Sequence, residues 1–81
     1  PLDADLKAYL DRRASAGGVK LATLIEDAAI EQLRMRLTRK VGSSAVSMCY
    51  PLAVNNLVTR ALNQAAELGA PLVTRDVISA V

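Results

Sequence analysis

Histidine, tryptophan and phenylalanine are absent from this 81-residue chain. Without histidine, the commonest general base and metal ligand is missing. A zinc site would have to be built from one thiol and carboxylates, a poor donor set for that metal. The single cysteine, Cys49, allows no internal disulfide, which fits a reducing compartment such as the cytoplasm. The only aromatic residues are Tyr9 and Tyr50. A core must therefore be made of Leu, Val, Ile and Ala, and alanine-rich cores favour closely packed helices. No apolar run approaches the roughly 18 residues that a membrane-crossing helix needs. The first residues lack the layout of a signal peptide.

What is present suits one small domain over residues 1–81. Hydrophobic residues make up 52% of the chain, too many for a disordered segment. A domain of this size buries about 60–65% of its unfolded surface, so its core is thin and leaves little room for an enclosed catalytic cleft. The net charge of +2 permits an anionic partner without demanding one. The chain starts at Pro1 and ends inside an apolar pattern at Val81, which reads as a fragment of a larger protein.

Four helices are expected, one of them long and central, in an all-α four-helix bundle. Residues 3–16 place Leu6, Tyr9, Leu10 and Ala14 on one stripe, with Asp3 as a cap and Gly17-Gly18 as the stop. Residues 19–25 read equally as extended chain or a short turn. A second helix starts near Glu26 or Asp27 and sets Ile30, Leu33, Leu37 and Val41 on one face, until Gly42-Ser43-Ser44 breaks the pattern. Residues 45–50 form a connector without a clear assignment.

The third helix carries the clearest signal. Pro51 suits a first helical position, where its missing N–H costs nothing. Val54, Leu57, Val58, Ala61, Leu62, Ala65 and Leu68 make its apolar stripe, and Gly69 and Pro71 end it. A short extended piece at 71–73 precedes Thr74, a cap for a last helix that offers Val77, Ile78 and Val81 for packing.

No Gly-rich phosphate loop and no paired carboxylates stand out, so no catalytic role is expected of this segment by itself. Arg34, Arg36, Arg39 and Lys40 fall within seven residues. The structural reading is a solvated face near a helix C-terminus, where cations suit the dipole. The functional reading is contact with nucleic-acid phosphates, giving a log–log salt slope of about −3.6 for four contacts. No aromatics interleave with these cations, so base stacking is not expected. Cys49 reads as a small buried apolar residue. Asn55 and Asn56 read as first-turn residues whose amides satisfy backbone groups.

The stretch "YPLAVNNLVTRALNQAAELGAPLVTRDVISA" resembles the C-terminal lid of bacterial AAA+ ATPases that assist DNA transposition or serve the general secretion pathway. In that group the lid helix opens Gly-x-Pro-Arg-x-Ile-Asn-x-Leu. Pro51, Val54, Asn55, Leu57, Ala61 and Leu62 fit. In the opening segment, Leu2, Asp3, Ala8, Tyr9, Leu10 and Arg13 match the first lid helix, and "LIEDAAIEQL" resembles the second.

The resemblance implies a parent that hydrolyses ATP with Mg, self-associates, stays out of the membrane and works with DNA and a transposase or a secretion component. It sets Pro51, Leu52, Asn55 and Asn56 toward the nucleotide or the ATPase core. There are two departures. Leu52 stands where the second-sensor arginine is usual, so sensing is weak or another cation, Arg60 among them, serves. The link "RLTRKVGSSAVSMCY" is also longer than usual, which would suit an adaptor surface. The rival expectation is a free-standing helical domain that binds DNA or a protein partner. A phosphate loop about 150–200 residues upstream, one domain's length, separates the two.

Overall fold

The computed structural model describes Leu2 and residues 4–81. The chain is mostly helical, with four α-helices and one small two-stranded sheet among the described residues. Helix α1 spans Leu6–Ala16, α2 Asp27–Arg36, α3 Pro51–Glu67 and α4 Arg75–Ala80, with a 3₁₀ turn at Leu21–Thr23. Strands β1, Thr38–Val41, and β2, Ser44–Ser47, form an antiparallel hairpin. The cap expected at Asp3 lies outside the described residues. Asp5 occupies the N-cap position of α1 without a side-chain capping bond.

Local chemistry explains where the helices start and stop. Thr74 Oγ1 accepts from the Val77 N–H and caps α4. Helices α1 and α3 end in the same reciprocal pair of bonds: Val19 N–H to Ala14 O with Gly18 N–H to Ser15 O, and Ala70 N–H to Ala65 O with Gly69 N–H to Ala66 O. The second pair needs a left-handed residue, which Gly69 supplies at φ 68°.

The ambiguous stretch 19–25 resolves into the 3₁₀ turn followed by a single parallel bridge between Ile25 and Val73. Val73 N–H donates to Leu24 O, Glu26 N–H donates to Val73 O, and the Arg75 N–H donates to Glu26 Oε1. These bonds pin the start of α4 beside the start of α2, and α4 packs mainly on α2.

The core draws on every helix: Leu6 and Leu10 of α1, Ala29 and Leu33 of α2, Val54, Leu57, Ala61 and Ala65 of α3, and Val77 and Ile78 of α4. Cys49 is fully buried.

Two expectations are corrected. The second helix does not run on to Val41. It stops at Arg36, and Thr38 Oγ1 accepts no part in the helix ladder but donates to Arg34 O at its end. Met48 N–H then closes on Leu37 O, and the intervening residues pair as the hairpin. Val41, expected on the apolar face, is 62% exposed. Gly42 at φ 62° opens the two-residue turn between Val41 and Ser44. Glycine at the first central position is the pattern of a type II′ turn.

The second correction concerns α3. Its stripe continues through Leu62, but Leu62 is 37% exposed. On the α1 side the groove beside it is lined by Leu10, Arg13, Ala14 and, just past the helix end, Gly17. This groove is open, and Leu62 on its wall stays partly in water.

Candidate functional site

The uncovered flank of α3 forms one wall of an open groove of about 260 Å³. Leu10 and Ala14 of α1, Leu21 and Ile25, and Val58, Ala61 and Leu62 of α3 make it largely apolar. Among the described residues three polar side chains line it, Arg13, Asn55 and Thr59, and no carboxylate does. All three can donate hydrogen bonds.

Tyr9 and Arg13 stand one turn apart on α1, and the Arg13 guanidinium carbon lies 5.9 Å from the Tyr9 ring centroid, within cation–π range. The Tyr9 hydroxyl donates to Asn55 Oδ1 at 3.0 Å. Tyr9 therefore joins α1 to α3 and orients the cation above its own ring. With its oxygen fixed by Tyr9, Asn55 keeps its NH₂ group as a donor at the groove.

Of the residues expected to face a nucleotide or an ATPase core, Asn55 alone lines the groove, half-buried. Pro51, Leu52 and Asn56 are exposed, Leu52 at 73%. No side chain caps the first turn of α3. Asn55 thus ties two helices together instead of satisfying a helix end. With Pro51 at N1, the N–H groups of Leu52 and Ala53 are left directed out of the helix. Arg13 was legible only as a residue of the first helix. The signal for its role is its position four residues after Tyr9, which puts both on one helical face.

The basic cluster is divided by the fold. Arg34 pairs with Glu31 one turn earlier. Its hydrogen bonds hold the Glu31 carboxyl below the usual range for glutamate against an opposing effect of desolvation, and its charge adds a lesser pull in the same direction as the bonds. Arg36 Nη1 donates to Ile78 O at 2.7 Å, binding the end of α2 to α4. Arg39 and Lys40 lie exposed on β1 rather than on a helix face.

Compared with known proteins, the chain matches no family model, no curated sequence and no solved structure at a significant level. No helix among the described residues is long and apolar enough to cross a membrane.

Proposed function

We propose that this domain is the C-terminal lid of an AAA+ ATPase, a four-helix bundle that carries a hairpin insertion and couples nucleotide state to DNA or to a transposition or secretion partner. The observation that carries this reading is the α1–α3 groove, whose apolar walls bear, among the described residues, three hydrogen-bond donors and no acid. Such a lining receives an anionic group together with apolar surface, which is what a lid meets at a nucleotide bound to the core. The sequence resemblance supports the same end of the molecule, because it sets Asn55 toward the core.

Leu52 cannot act as the second-sensor arginine. In this reading Arg13 takes over that duty from the neighbouring helix. Its guanidinium already stands over the Tyr9 ring, so less freedom is lost when it meets a phosphate. Arg60 is not among the residues that line the groove. The lid contributes donors only. ATP and Mg are held by the parent's core, which supplies the phosphate loop and the hydrolytic chemistry.

The test is ATP turnover by the full-length parent. Arg13→Ala lowers turnover by about a hundredfold or more, the scale of losing one charge-stabilising donor, while Arg60→Ala leaves it unchanged. Equal turnover for Arg13→Ala and the parent contradicts the reading.

A further inference from the structure

The hairpin is the one element whose presence the core does not explain. All four residues of β1 are exposed, and β2 has only Ser47 partly covered. Both faces therefore lie open. An isolated two-stranded hairpin is marginal in water, so its exposure on both sides calls for a partner that the folded domain does not supply.

Its composition names the chemistry of that partner. Residues 32–66 contain no aspartate or glutamate, and the hairpin lies inside that tract. Arg39 pairs across the ladder with Val46, and Lys40 with Ala45. Adjacent strand residues point to opposite faces, so each face of the ribbon carries one cation. Thr38, Ser43, Ser44 and Ser47 add hydroxyls around them, and the tip, Gly42-Ser43, has almost no side-chain bulk. Arg34 and Arg36, the other half of the cluster, are bound to Glu31 and to the α4 carboxyl end.

We infer that the 38–47 hairpin is a DNA-contacting ribbon, with Arg39 and Lys40 on phosphates flanking a major groove. A two-stranded ribbon fits the B-form major groove, which is about 12 Å wide. The major groove of A-form RNA is too narrow and deep for it, so the geometry favours DNA. The inference names the DNA-contacting element within the ATPase reading and rests on that reading only for what the contact serves. Binding itself is measured on this chain without ATP, so the two fail separately.

The experiment is fluorescence anisotropy with a labelled duplex of about 20 base pairs at about 50 mM salt, where weak phosphate-driven binding is strongest. The unmodified chain binds with a log–log salt slope of about −1.8, the value for two phosphate contacts instead of four. Arg39→Ala/Lys40→Ala weakens binding at least tenfold. Arg12→Ala/Arg60→Ala, which removes the same charge elsewhere, changes it less than about twofold, since neither residue is asked to touch a phosphate. Far-ultraviolet circular dichroism of both variants matches the unmodified chain. No detectable binding, equal losses in the two variants, or equal affinity for double-stranded RNA of the same sequence each overturns the proposal.

Discussion

Leu37 alone separates α2 from β1, yet the two sides of it obey different rules. On one side, Leu33 is fully buried and α2 packs against α4, whose Ile78 is also fully buried. On the other, no hairpin residue is buried and only Ser47 is partly covered. Sequence identity does not explain the contrast, since arginines occur on both sides of Leu37. What differs is whether a partner surface exists. The α2–α4 seam has one within the domain, helped by the Arg36 bond to Ile78 O. The hairpin has none. Burial is thus divided between neighbouring stretches: the seam holds the fold, and the hairpin and the α1–α3 groove stay open, which is where the proposed reading puts contact with other molecules.

The sharpest way to break that comparison is to attack the seam. Leu33→Ala removes a fully buried side chain and costs about 2–5 kcal/mol, a large share of the roughly 5–15 kcal/mol typical of a domain. Denaturant melts read it directly. A midpoint within error of the unmodified chain would mean that the seam is not where the stability resides.

The groove lies between the two extremes. Leu62→Ala removes a side chain already partly in water, so it costs about 1 kcal/mol. A loss as great as that of Leu33→Ala would show that the groove is closed in solution.

The smallest global effect belongs to the hairpin. Gly42→Ala forces an L side chain into a left-handed conformation at a local cost of about 1–2 kcal/mol. Because the strands bury nothing, the denaturant midpoint stays put while the amide protection of residues 38–47 falls. A matching drop in the midpoint would tie the hairpin to the core after all.

The helices were legible because their signals are local. Pro51 at N1, Thr74 as a cap and Gly69 as a stop each act within one turn, and each is found in that role. The hairpin was hidden because its four-residue strands are short and mix cations and hydroxyls with Val41 and Val46, without a sustained alternating apolar pattern. Meanwhile Ile30, Leu33, Leu37 and Val41 kept helical spacing across the boundary. Thr38, Val41 and Val46, all β-branched, with the turn at Gly42, were the contrary signal.

Leu62 misled for another reason. Periodicity identifies the apolar side of a helix but not whether a neighbour covers it, and Leu62 borders an open groove. At the site, Asn55 drew notice as a first-turn asparagine that fits the lid-helix pattern, yet its partner Tyr9 lies on a different helix, 46 residues away. No local pattern reports that contact.

Hydrogen exchange on the full-length parent, with and without a non-hydrolysable ATP analogue, tests the division most directly. If the α1–α3 groove is the face turned toward the nucleotide-loaded core, the analogue slows exchange at residues 9–17 and 50–59 and leaves residues 38–47 unchanged. Protection confined to the hairpin, or none at the groove, would contradict the account.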